Sequence, residues 1–123
     1  PAGVPVGWSA SVSRRAQVVA DTLAMRALRH GWANRPLPLL EAHLRDSITI
    51  AVPAPRSRRA GRQATARAAA YAEWLAVTTR MAMVRVLEVQ RESEALLRYA
   101  VREDAALRAG LDVVAPGVTL SRR

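Results

Sequence analysis

At 123 residues the chain is long enough for one domain with a single core, and it contains no Cys, no Phe and no Lys. Disulfides, a thiolate metal site, a cysteine nucleophile, a phosphate-loop lysine and a Schiff-base lysine are thereby excluded. All 19 basic residues are Arg, set against 10 acids for a net charge of +9.

The charge is unevenly placed. Residues 1–67 hold eleven Arg against three acids (Asp21, Glu41, Asp46), whereas residues 68–123 hold eight Arg against seven acids. One half therefore reads as a basic surface and the other as a nearly neutral structural half. A guanidinium presents a planar fork of donors that matches phosphate oxygens two at a time, so an all-Arg surface suits nucleic acid. The missing Lys also has a second reading. Lack of Phe and Cys, a lone Asn (Asn34) and only two Ile (Ile48, Ile50) fit a GC-rich coding sequence. Codon bias does not account for the asymmetry.

Residues 1–10 read as an N-terminal arm, with two Pro and two Gly in the first seven positions. That stretch lacks the charged and apolar regions of a secretory signal, and no run approaches the roughly 20 apolar residues of a membrane span. The expectation is a cytoplasmic protein. From about Ser11 to His30 the pattern is helical, with Gly31 as a left-handed cap just past the end. At ~100° per residue, Val12, Ala16, Val19, Ala20, Leu23 and Ala27 share one arc, while Arg15, Thr22, Arg26 and Arg29 share a separate one. Gly31–Arg35 is a loop. Pro36 and Pro38 then open a short helix through roughly Asp46, supported by a Glu41–Arg45 pair. Ile48–Val52 is β-like but has no partner strand, so 48–61 reads as an extended connector that becomes strongly basic at Arg56.

Between Arg62 and Ala109 there are 48 residues without Gly or Pro. The apolar line Ala70, Trp74, Val77, Met81 and Val84 gives way to a second, Val89, Leu96, Ala100 and Leu107. The change of face predicts a break near Thr78-Thr79 or Arg91–Ser93 and hence a helical hairpin. The acid-before-base pairs Glu94–Arg98 and Asp104–Arg108 support the last helix, Gly110 closes it, and 111–123 form a C-terminal tail. The fold expectation is all-α, a single domain forming a compact helical bundle with a long helical or helical-hairpin C-terminal half.

Nothing in the chain points to chemistry. No glycine-flanked nucleophile turn, HExxH pattern or Gly-rich phosphate loop occurs, and paired carboxylates such as Glu92/Glu94 fall on charged helical faces. His30 and His43 cannot build a zinc site by themselves. The expectation is a non-catalytic protein with no metal and no cofactor. A helix-turn-helix is rejected: Ala27, Gly31, Leu37 and Leu40 approximate its pattern, but Pro36 and Pro38 would interrupt the recognition helix.

The strongest site signal is Arg56, Arg58, Arg59, Arg62 and Arg67, with no acid anywhere between 56 and 67. Together with Arg15, Arg26, Arg29 and Arg35 it predicts contact with a phosphate backbone, without base specificity. Trp32, flanked by Arg29, His30 and Arg35, has two readings: a stacking platform for an unpaired base, or a plug between two helices. Trp74 and Tyr71 read as core anchors, and Trp8 as the residue that pins the N-terminal arm.

Size, helix content, Arg15/Arg26/Arg29 and Arg56/Arg58/Arg59/Arg62 together resemble the small subunit of class 1 CRISPR effector complexes, and the GC-rich profile fits a type IV-like system. The resemblance implies a helical bundle that lines a filament of backbone protein subunits in several copies. It also implies contact with guide RNA or target strand, in antiviral defence. The other classes compatible with these residues are an adaptor or virion component whose arginines meet an acidic protein, and a small DNA-binding regulator.

Overall fold

The structure, a computed structural model, describes residues 4–114, with side chains through residue 110. Arg122 and Arg123 lie outside the described residues, as does most of the segment read as a tail. The protein is all-α. Its elements are α1 (Ala10–Arg29), a short 3-10 turn (Trp32–Asn34), α2 (Leu37–Ala51) and α3 (Arg62–Val114). The chain divides into two compact units, Pro1–Glu88 and Val89–Arg123.

Local chemistry explains the first unit's boundaries. Ser9 is extended and its hydroxyl accepts the Val12 amide at 3.3 Å, which satisfies one of the unpaired donors at the start of α1. Arg26 and Arg29 lie in the last turn of that helix, where cations offset the dipole. Gly31 then takes φ +79°, the left-handed conformation that favours glycine, and its amide reaches the Leu28 carbonyl. Pro36 and Pro38 start α2, as expected.

The core of this unit joins α1, α2 and the first part of α3. Ala20, Ala24 and Ala27 of α1 pack with Leu40 and Leu44 of α2 and with Ala82 and Val86 of α3, all fully buried. Alanine at the contact lets the helix axes approach closely, which is how a chain without Phe fills its interior. Val12, expected in this stripe, is exposed, and Ala24 takes a core place.

Two expectations from the sequence are corrected. Ile48–Ala51 is not extended: α2 continues to Ala51, and the connector begins at Val52. Leu40, Leu44 and Ile48 recur every four residues and are all completely buried. Burying Ile48 contributes about 1.5–3 kcal/mol, which outweighs the few tenths by which a β-branched residue disfavours a helix. Pro53 ends the helix, because a following proline drives Val52 out of the α region (φ −132°, ψ 85°).

Nor is there a hairpin. α3 is one helix from Arg62 to Val114, unbroken at Thr78-Thr79, at Arg91–Ser93 and at Gly110. A change of apolar face decides which side is buried, but it does not break backbone hydrogen bonds; the strong turn formers are Gly, Pro, Asn and Asp, and neither site has one. Thr78 and Thr79 are instead buried in the first unit, and the Thr79 hydroxyl donates back to the Leu75 carbonyl at 2.6 Å. Gly110 stays in the helix at a cost of about 1 kcal/mol relative to Ala.

The second unit carries the remainder of α3. Between residues 91 and 110 every side chain but Asp104 and Arg108 is exposed. Those two form an i, i+4 ion pair at 3.2 Å. Leu96, Leu97, Tyr99, Val101 and Leu107 are all open to solvent, so the second apolar line, beyond Val89, covers nothing within this unit.

Candidate nucleic-acid interface

All nine arginines singled out from the sequence (Arg15, Arg26, Arg29, Arg35, Arg56, Arg58, Arg59, Arg62 and Arg67) are exposed. None of them forms an ion pair among the described residues. The pairs that do form are Arg45–Glu41, Arg85 with Asp21 and Glu88, and Arg108–Asp104. The nine guanidinium groups thus make no ion pair that would compete with an anion, whereas three of the pairs just named lie within a single helix and Arg85–Asp21 joins α3 to α1.

The nine fall into two groups. Arg56, Arg58 and Arg59 occupy the connector between α2 and α3, Arg62 is the first residue of α3, and Arg67 lies just over one turn further on. Arg15, near the start of α1, and Arg67 line one open groove of about 790 Å³. Arg26 and Arg29 stand at the other end of α1. Eleven residues separate Arg26 from Arg15, so the two share a helix face about 16 Å apart.

Trp32 belongs with the second group. Its indole stacks on the His43 imidazole with ring centroids 3.9 Å apart and planes within 6°, and the Arg35 guanidinium carbon lies 5.5 Å from the Trp32 ring centroid. The indole is half-buried against the Ala-Leu core of α1 and α2. One of its faces is taken, so the plug between helices describes its place, and Arg35 adds a cation–π contact to it. Burial lowers the pKa of His43 below its ordinary value of 6.5; nearby Asp46 opposes that shift and His30 adds to it.

The groove was not anticipated as a site. Its walls include Trp8 from the N-terminal arm, Val12 and Arg15 of α1, Pro53 and Pro55 of the connector, and the Arg67, Ala70, Tyr71, Trp74 face of α3. The last four recur at i, i+3, i+4 and i+7, the spacing of one helix face. That pattern is visible in the sequence and would have placed an arginine beside two aromatics. Tyr71 and Trp74 are only half-buried, not enclosed as core anchors. Their rings lie 6.0 Å apart and tilted by 34°. Two hydrogen bonds hold the walls in place: the Tyr71 hydroxyl donates to the Val52 carbonyl at 2.7 Å, and the Trp8 indole N–H donates to Glu73 at 3.2 Å. Trp8 thus pins the arm, as expected.

No protein-family model, curated protein or solved structure matches the chain. Among the described residues, no helix is long and apolar enough to cross a membrane.

Proposed function

We propose that the protein is a non-catalytic, Arg-rich helical subunit that binds the phosphate backbone of a nucleic acid within a ribonucleoprotein assembly. The observation that carries this reading is the set of nine exposed arginines, none paired with a carboxylate among the described residues, in a chain of net charge +9. Arg56, Arg58 and Arg59 lie along the exposed connector and Arg62 opens α3 just beyond it, and Arg15 and Arg26 lie on one face about 16 Å apart. With one phosphate per ~3.4 Å of each strand, that distance spans several phosphates. The reading extends the resemblance to small subunits of class 1 CRISPR effectors, which rests on size, helix content and these same arginines. The exposed apolar side chains between Leu96 and Leu107 favour contact with further subunits.

The test is a salt titration of binding to random-sequence RNA and DNA. Replacing Arg56, Arg58, Arg59 and Arg62 together by Ala should weaken binding and lower the slope of log K against log salt by about 0.7–0.9 per lost phosphate contact, with helicity unchanged. An unaltered affinity and slope in that variant would remove the basic connector from the interface. Binding confined to one DNA sequence would favour the regulator instead, and binding to acidic protein but to no nucleic acid would favour the adaptor.

A further inference from the structure

The groove between Trp8, Arg15, Tyr71 and Trp74 combines features that backbone binding alone does not require. Three aromatic side chains and the two prolines of the connector make it mainly apolar, while its charged lining groups are Arg15 and Arg67, with no carboxylate. The polar ends of two aromatics are already engaged, Tyr71 with the Val52 carbonyl and Trp8 with Glu73. Those rings offer a ligand their apolar surface and few donors. A peptide laid in such a groove would leave its own amides and carbonyls unpaired, at a cost for each buried group. A nucleobase presents a flat π-face that needs no such partners, and its sugar-phosphate carries the charge that two flanking guanidinium groups complement. The connector that forms one wall also runs directly from Pro55 into Arg56, Arg58 and Arg59, so a strand leaving the groove on that side meets more cations.

We propose that this groove receives an unpaired nucleobase of a single strand, stacked among Trp8, Tyr71 and Trp74, with Arg15 and Arg67 on the adjacent phosphates. The inference rests on the nucleic-acid reading above and adds to it a preference for bases over bare backbone. It assigns the stacking role, which the sequence offered to Trp32, to a different set of aromatics.

Tryptophan fluorescence quenching provides the test, because Trp8 and Trp74 line the groove. The full chain is titrated with a short oligothymidylate and with an abasic deoxyribose-phosphate oligomer of the same length. One stacked base should make the oligothymidylate bind about 5- to 150-fold more tightly. Trp8→Leu and Trp74→Leu should each reduce that ratio. Equal binding of the two oligomers by the unaltered chain would overturn base stacking and leave the backbone reading intact. Failure to bind either oligomer would overturn both. A preference for bases that persists in both Leu variants would overturn the assignment to this groove. Quenching by polyglutamate but by neither oligomer would give the site to an acidic protein partner.

Discussion

Ile48 and Ile50 lie two residues apart near the end of α2, with relative exposures of 0% and 81%. In an extended connector neither would matter much to stability; in a helix that buries one face, only Ile48 should. Ile48→Ala removes three carbons, worth about 0.8 kcal/mol each in transfer, and adds a cavity term because Leu44 and the surrounding backbone relax only in part. The expected loss is about 2–5 kcal/mol, a large share of the 5–15 kcal/mol that stabilises a typical domain. Ile50→Ala should be neutral or stabilising by a few tenths of a kcal/mol, since Ala is the better helix former and little burial is lost. Urea unfolding followed by far-UV circular dichroism reads both, with the midpoint shifting for Ile48→Ala at a constant m value. Equal midpoints for the two variants, or a larger loss at Ile50, would refute the continuation of α2 and return 48–51 to the connector.

Two further outcomes follow from the interior. The Thr78 hydroxyl is fully buried with no hydrogen-bond partner among the described residues, so Thr78→Val should raise stability by about 1–3 kcal/mol in the same assay, whereas Thr79→Val, which loses the bond to the Leu75 carbonyl, should not. His43 is held below its ordinary pKa of 6.5, so between those two values the folded chain carries fewer protons than the unfolded one. Its contribution is fully present above about pH 6.5, falls as pH drops towards the folded pKa and then levels off. Denaturant midpoints measured across that range should show the decline and should flatten in His43→Gln; a midpoint that rises on acidification would contradict the burial of this imidazole against Trp32.

Much of the first unit was legible in the sequence because its signals are local. Ser9, Gly31, Pro36 and Pro38 each act within a turn of the backbone they bound, and an amphipathic period of 3.6 marks the faces of α1 without reference to anything outside it. The misreadings arose where local preference and packing disagree. Ile48-Thr49-Ile50 has β character, but position 48 falls four residues beyond Leu44, and burial at that position decides the conformation. In α3 the change of apolar face suggests a turn, although neither Thr78-Thr79 nor Arg91–Ser93 contains a Gly, Pro, Asn or Asp to end the helix. Amphipathic faces report what a helix packs against, whereas caps and breakers report where it ends. The two kinds of signal conflicted here, and the absence of a breaker was the better guide.

The same distinction explains the site. Charge is additive along a chain, so the excess of arginine before residue 68 is visible at once, and guanidinium groups with no carboxylate to pair with stay in water because burying an unpaired charge is costly. A groove is a relation among elements far apart in sequence: Trp8 meets Glu73 across 65 positions, and Tyr71 reaches Val52 across 19. No composition rule brings those segments together. Trp32 looked the better stacking platform because its arginine neighbours are adjacent in sequence, yet its partner across the turn is His43, brought there by the packing of α2 on α1. A cation beside an aromatic in sequence therefore says little about whether a ring face is free, whereas an arginine one and two helical turns from aromatics on a single face, as with Arg67, Tyr71 and Trp74, places charge and π-surface on the same wall. The physical condition for stacking is an open ring face near a cation without a carboxylate partner; one face of Trp32 lies on His43, whereas Trp8, Tyr71 and Trp74 line a groove that also holds Arg15 and Arg67.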